Sequence, residues 1–296
     1  MEWINRYTEL LNAQGVGYLR FGNLVLREYG QIIIPIGPII QENPSVDVDE
    51  KKLLRELKGK LAWWSYAKEN LGSDGWFAVI KTEATELSDY KSANIRNQVK
   101  KGLLNNIVKR ISLEFLIENG YPVYKKTLEG YGKKETKSEI NFNLELSKYT
   151  GFEDIIHFWG IFCGNELIGY SVVYCYDKQE ANISEIRINP NFHKAYPLYA
   201  LIHIISLEYL TKSGFNCISD GYRNIMHPTN IQELLIQKFG FIKTPLFLEM
   251  AIKNPYKIIA IFLYKIRFIA TFSTSIKAVF SLLSIEKQQK KATDLG

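Results

Sequence analysis

The chain has 296 residues, 46% hydrophobic and 23% charged, a balance that belongs to a globular protein and excludes a disordered one. Its length suffices for two small domains or one large one. The formal net charge of +6 is localised, because residues 251–296 hold eight Lys or Arg against two acids, whereas residues 1–250 carry 29 of each sign. With a neutral body, the net charge lends no support to nucleic-acid binding by it. Three cysteines, Cys163, Cys175 and Cys217, are spaced without a CxxC pair, so a reducing compartment is expected and neither a disulfide framework nor a metal site is. No basic stretch leads an apolar run at the start, so no signal peptide is expected and the cytoplasm is the default location.

In chain order, "YLRFGNLVLREYGQIIIPIGP" (18–38) alternates and then runs apolar between Gly and Pro, which predicts strands. In "NPSVDVDEKKLLRELKGKLAWWSYAKENLG" acids lead, Leu53, Leu54, Leu57 and Leu61 keep helical spacing, and Gly72 follows, which predicts one helix. "GWFAVIKTEA" predicts a strand, "LSDYKSANIRNQVKKGLL" a basic loop or helix entry, and "SLEFLIENG" a helix opening on Ser112. The polar "YGKKETKSEINFN" reads as a loop and a modest break in the fold. Then "IIHFWGIFCGNELIGYSVVYCYDKQEANISEIRINP" holds three strands turning at Gly164-Asn165 and at "DKQEA", an antiparallel meander. "YPLYALIHIISLEYLTKSG" is apolar almost all round and predicts a buried helix stopped by Gly214. A strand "FNCISDGY", a helix "TNIQELLIQKFG" and a last strand "FIKTPLFLEMAIK" complete the body.

The order from residue 112 onward, helix, three strands, helix, strand, helix, strand, resembles the GNAT acyltransferase superfamily, and "IQELLIQKFGFIK" looks like its closing helix-to-strand signature. "KSANIRNQVKKGL" and "ISDGYRNIMHPTNIQELLIQKFGF" make the chain similar, more narrowly, to Fem-type aminoacyl transferases and to GNAT-like proteins of polysaccharide biosynthesis, over about residues 75–252. The resemblance implies an α/β (α+β) fold with a GNAT-like, mostly antiparallel splayed sheet and flanking helices at 100–252. A partial N-terminal α/β lobe at 1–99 and a basic, hydrophobic helical tail at 253–296 complete the expected domains. The implied activity is transfer of an acyl group from acetyl-CoA or another acyl-CoA to an amino sugar or another cell-envelope glycan precursor, small or lipid-linked, without a metal. Two alternatives stand beside it: a Fem-type aminoacyl transferase using aminoacyl-tRNA, and a non-catalytic GNAT-like binding module in polysaccharide assembly. Ordinary GNAT enzymes grip the CoA pyrophosphate on backbone N–H groups of a glycine-rich turn. The matching "NPNFHKAYPLYAL" contains no Gly, so CoA binding is expected to be weak or differently arranged.

Acyl transfer needs a base for the nucleophile, donors for the oxyanion and a proton for the leaving group. In the GNAT arrangement two central strands splay, and the resemblance puts Glu185 on one and Asp220 on the other as candidate bases. Asp220 precedes Gly221, so a turn pair explains it equally. Glu185 also reads as the solvent-facing residue of an alternating strand. Tyr222 and His227 are candidate proton donors, His227 for its near-neutral pKa of about 6.5. Arg223 suits a bidentate contact to an anion, or a structural pair with Asp220. Thr229 or Asn230 caps the next helix, whose free N–H groups would also receive an anion. Arg96 and Lys100 in the basic run, and Lys194 in the glycine-free turn, are candidate phosphate contacts, with a solvated helix face as the plainer reading. Asp220, Tyr222, Arg223 and His227 are expected to share one pocket. His157, His203, Trp63, Trp64 and Trp159 read as core, with a sugar platform as the alternative for the tryptophans.

In the tail, Lys265, Arg267 and Lys277 interrupt the apolar runs, which fall short of the roughly 18 uninterrupted apolar residues of a spanning helix. The tail is expected either to pack back on the body or to lie as an interfacial helix on anionic lipid, holding the protein at the inner face of the membrane.

Overall fold

The computed structural model describes residues 2–40, 48–68, 71, 75–132, 137–225, 230–265 and 273–294. Helix α1 (Glu2–Ala13) leads into strands β1 (Tyr18–Phe21), β2 (Leu24–Tyr29) and β3 (Ile32–Ile36). Helix α2 (Glu50–Glu56) precedes β4 (Leu61–Tyr66) and β5 (Phe77–Lys81), followed by α3 (Ala93–Asn105), β6 (Ile107–Ile111), α4 (Leu113–Gly130) and α5 (Glu139–Ser147). The meander is β7 (Ile156–Cys163), β8 (Glu166–Tyr176) and β9 (Glu180–Ile188). After it come α6 (Pro197–Leu207), β10 (Cys217–Tyr222), α7 (Ile231–Phe239), β11 (Ile242–Pro245), β12 (Phe247–Ile252), α8 (Tyr256–Lys265) and α9 (Thr274–Asp294). Side chains cap the helices where the sequence places Ser: Ser92, Ser112 and Ser138 accept from the backbone N–H of Ile95, Phe115 and Asn141.

The chain forms two compact units. The first comprises Met1–Leu10, Ile80–Gly221 and Ile231–Ile242, and the second Leu11–Val79, Tyr222–Asn230 and Lys243–Gly296. A seven-stranded sheet in the order β11-β5-β10-β9-β8-β7-β6 organises the first, with residues of β5 and β11 divided between the units. Its strands β6 to β9 are antiparallel, and β10 joins β9 in parallel after the α6 crossover. The start of α1 seals one end of this unit. Trp3 and Tyr7 pack their rings on Tyr176, and Arg6 grips both carboxylate oxygens of Asp154 at 2.7 and 2.9 Å.

Helix α6 is apolar on most sides and is buried accordingly, with Tyr199, Ala200, Leu201, Ile202 and Ile205 in the core. Its last turn widens into a π-helical turn over Glu208–Lys212, and Gly214 at φ +67° ends it. That turn directs Tyr209 to His157 Nδ1, which it meets at 2.8 Å, and to Trp159 Nε1, which donates to it at 3.1 Å. Cys175 Sγ lies 3.3 Å from the same imidazole nitrogen. Burial pushes His157 down to about 4 and Cys175 up to about 12, so this Cys–His contact is chemically quiet core, as expected for His157 and Trp159. His203 is core as well, bonded through Nδ1 to Tyr90 OH at 3.0 Å.

The second unit is built on a five-stranded sheet, β1-β2-β3-β4-β12. Here the structure departs from the sequence reading. The single helix expected within residues 43–72 is two elements: α2 stops at Glu56, and Leu61 of the expected helical stripe opens strand β4. Gly59 supplies the reason, since a Cβ there would stand 2.4 Å from Ile33 Cγ1, and the close approach leads the chain into a strand between β3 and β12. The expected stop at Gly72 lies outside the described residues. The last strand is also two, because Pro245 has no N–H to continue a ladder; β12 instead pairs antiparallel with β4 from Phe247↔Tyr66 to Ile252↔Leu61. The polar stretch read as a loop gives way to α5 at Glu139, while residues 133–136 within it lie outside the described residues.

The tail is helical, as expected, and α9 packs back. Ala278, Phe280, Leu282 and Ile285 are buried, and α9 covers the outer edge of β12. Gln289 Oε1 accepts from the backbone of Leu248 at 2.9 Å while its Nε2 donates to Leu246 O at 2.8 Å, and Glu286 accepts from Met250 N at 3.2 Å. A helix thereby satisfies backbone groups that an open sheet edge would expose. Among the described residues no helix is long and apolar enough to cross a membrane.

Two outcomes follow from this packing. Gly59→Ala forces a methyl group into Ile33 and should cost about 1–3 kcal/mol in urea denaturation. His157 is neutral in the folded state near pH 5, so the stability tied to it is present above pH 6.5 and lost as pH falls towards 4. His157→Gln should flatten that loss in denaturation curves recorded across the same window.

Candidate active site

The first unit brings two irregularities together on β9. Its parallel ladder with β10 runs over three pairs, Cys217↔Glu180, Ile218↔Ala181 and Ser219↔Asn182. Beyond them β9 continues to Ile188 on its antiparallel partner β8 alone, so the two central strands part. Just past that point β9 bulges: Val172 of β8 faces Glu185 and Val173 faces Ile183, leaving Ser184 as the extra residue. A bulge takes backbone groups off the ladder and turns them towards whatever occupies the gap.

A buried polar clasp holds the last pairs. Ser219 Oγ donates to Glu180 Oε1 at 2.5 Å, and Asn182 Nδ2 donates to Ser219 Oγ at 2.7 Å. Glu180 and Ser219 are fully buried. The sequence reading missed all three. The available signal was polar residues at inward positions of "EANISEI" and "CISDG", but their apposition depends on parallel pairing across a crossover of some 35 residues.

Asp220 follows the clasp on β10, with Gly221 turning the chain behind it at φ +86°. The carboxyl is half-buried, and desolvation pushes it up to about 7 against the opposing pull of a hydrogen bond with Gln232 of α7. A fourth residue missed in the sequence fixes α7. Lys81 is buried and donates to Phe239 O, at the last turn of α7, and to Thr85 Oγ1, both at 2.6 Å; burial pushes its ammonium down to about 8. Lys81 therefore holds the far end of the helix whose first turn supplies Gln232.

Glu185 sits beside the bulge on the diverging part of β9. Its Oε1 accepts from Arg187 Nε at 2.6 Å and from Tyr170 OH at 3.4 Å, so it is engaged in an ion pair. Arg96, on α3, turns Nη1 to Tyr90 O at 2.7 Å, and Lys100 is exposed on the same helix. Lys194 is exposed on the 3-10 turn Pro190–Ala195 that leads into α6.

Tyr222, Arg223 and Asn230 belong to the second unit. The Tyr222 ring meets Trp63 edge-on at 5.0 Å and stacks on Trp76 at 5.9 Å. Arg223 donates through Nη1 to Gly75 O at 2.7 Å and lies over Phe77. Asn230 is exposed immediately before α7, and His227 and Thr229 lie outside the described residues.

The start of α6 is where GNAT enzymes seat a pyrophosphate, and these residues do not fit that group. Pro197 stands at the first helical position and has no N–H, the N–H of Tyr199 bonds to Tyr196 O, and Tyr196 takes a left-handed φ of +55°. Helix α3 packs directly on this turn, since a Cβ on Gly102 would stand 2.7 Å from Tyr196 O and 3.1 Å from Ala200 N. Asn106 ties the two together through Nδ2 to Ala195 O at 2.7 Å. Among the described residues no group of three or more His, Cys, Asp or Glu stands ready for a metal ion.

A mostly antiparallel sheet whose two central strands pair in parallel and then splay, closed by a helix entering "FGF", defines a GNAT-like fold. Solved structures share this fold. FemX matches with a TM-score of 0.58 over 86% of this chain and 93% of its own, at 10% identity. The C-terminal DUF2156 domain of an Agrobacterium fabrum protein assigned as a lysylphosphatidylglycerol synthetase matches with a TM-score of 0.57 over 90% of this chain and 96% of its own, at 14% identity. No family model matches the sequence, and no curated protein does. The likeness establishes the fold, which is GNAT-like.

Asp220 carries a stability cost with the opposite sign to that of His157. Its folded pKa lies above the unfolded value of 3.8, so the stability tied to it is present near pH 4 and lost as pH rises through about 7. Asp220→Asn should remove that decline, read as a flatter profile of unfolding free energy between pH 4 and 8.

Proposed function

We propose that the chain is an acyltransferase that moves an activated acyl group onto the amine of an amino sugar or another cell-envelope glycan precursor, with Asp220 as general base. The observation that supports this most directly is a half-buried carboxyl raised to about 7 at the point where β9 and β10 part. Such a group is balanced between its two protonation states at neutral pH, which suits proton transfer there. The amine attacks the acyl carbonyl carbon as Asp220 takes its proton. The tetrahedral oxyanion then re-forms the carbonyl and expels the donor's oxygen or sulfur, which takes up a proton on leaving. Backbone groups freed at the Ser184 bulge are candidate donors to the oxyanion. Arg96, Lys100 and Lys194 are candidate contacts for phosphates of the donor or acceptor. No step is assigned to Tyr222 or Arg223, whose rings and guanidinium are engaged with Trp63, Trp76 and Gly75.

A second reading concerns the donor. The covered, proline-led start of α6 disfavours a CoA thioester seated on backbone N–H groups and favours an aminoacyl ester carried by tRNA, the donor of the Fem type. A protein working on envelope precursors, some of them lipid-linked, would act in the cytoplasm against the inner face of the membrane.

Labelled acetyl-CoA and aminoacyl-tRNA, each offered with nucleotide amino sugars, test both readings. Transfer from either donor that falls by about 10²–10⁴ in Asp220→Asn is expected. The wild-type kcat/KM should rise with pH through about 7, and the variant should lack that limb. Binding of the glycan precursor without transfer from any donor would instead make the chain a binding module and overturn the proposal.

A further inference from the structure

The tail is not uniform. Helix α9 is built into the second unit, whereas α8 is covered on one side. Ala260, Leu263 and Tyr264, spaced i, i+3 and i+4, turn inward, and Tyr264 bonds Ser284 of α9 at 2.8 Å and packs its ring on Phe280. The other side is equally apolar and faces solvent: Ile258 is 67% exposed, Ile259 48%, Ile261 49% and Phe262 63%. Elsewhere among the described residues, exposed hydrophobic residues stand singly or in twos, such as Ile140 and Leu144 on α5, which is ordinary. With Tyr256 at 39%, five large ones on ten residues of helix are not, and such a patch marks an interaction surface.

Charge identifies the occupant. Lys257 is exposed among these residues, and Lys60 Nζ stands 5.0 Å over the ring of Tyr256 at the start of the helix. The whole net charge of the protein lies within residues 251–296. A like-charged second copy would be repelled from this surface, whereas an anionic bilayer would be attracted. We infer that α8 is a lipid-docking helix that lies in the interface of an anionic membrane, with Ile258, Ile259, Ile261 and Phe262 among the acyl chains and the lysines at the headgroups. This deepens the placement at the membrane in the proposed function by naming the surface and the lipid charge it requires.

Co-sedimentation of the full chain with vesicles of phosphatidylglycerol and phosphatidylcholine in equal parts, and with phosphatidylcholine alone, tests it. Binding to the anionic vesicles that weakens as salt is added is expected, with weaker binding to the neutral ones. The double variant Ile258→Glu and Phe262→Glu alters exposed positions, so its thermal unfolding should match wild type while vesicle affinity falls about tenfold or more. Three outcomes would overturn the inference: no binding of wild type to anionic vesicles at low salt, undiminished binding by the variant, or a wild-type dimer in light scattering that the variant dissolves. Transfer to a soluble nucleotide amino sugar is measured on the same preparations. Vesicle binding without transfer sinks only the acyltransferase reading, and transfer without vesicle binding sinks only the docking helix.

Discussion

Three residue pairs of parallel β-ladder decide the architecture of the first unit. β9 is bonded along its length to β8, yet it accepts β10 only from Glu180 to Asn182. A longer ladder would close the gap between the two strands, and β10 is held on its other side by β5. What limits and secures the ladder is the Glu180–Ser219–Asn182 clasp, buried and hydrogen-bonded within itself. A buried carboxyl without partners would cost several kcal/mol. The same group with a hydroxyl and an amide in reach pins the two strands at one register. Past the clasp, right-handed twist and the Ser184 bulge carry β9 away from β10, and Asp220 is left at the opening.

The helices around this opening are fixed by close backbone contacts. Gly102 lets α3 lie directly on the first turn of α6, and Asn106 bonds across the same junction. The usual anion-binding end of a helix is thereby used for packing, which is a physical reason for the missing glycines in "NPNFHKAYP": a turn that contacts a helix has no need to admit a pyrophosphate. On the other side of β10, Lys81 holds the end of α7 with an ammonium that burial has made easier to deprotonate.

The second unit solves a different problem, an open sheet edge. β12 bonds to β4 on one side and to side chains of α9 on the other. Gln289 does this with both ends of its amide, a match that an apolar residue at that position would not supply. Once α9 is committed to the sheet, α8 is carried along the surface with only half of its apolar circumference covered.

Local chemistry was legible in the sequence. The meander with its Gly164-Asn165 turn, the helix opening on Ser112, the all-round apolar α6 and the closing "QKFGF" follow from propensity, periodicity and turn residues, all of which act within a few positions along the chain. So was Asp220 as a residue at a strand end before a glycine. Tertiary structure decided the rest, because those features depend on which distant segments meet. Leu61 kept helical spacing but became a strand once Gly59 allowed the chain against Ile33. Pro245 split one apolar run between two sheets. Glu180, Asn182 and Ser219 acquire meaning as a group only through a parallel pairing that no local pattern encodes. The elevated pKa of Asp220 arises the same way, from water excluded by elements brought together from across the chain. Sequence determines what each segment can form, and long-range packing determines which of its groups are left facing a gap.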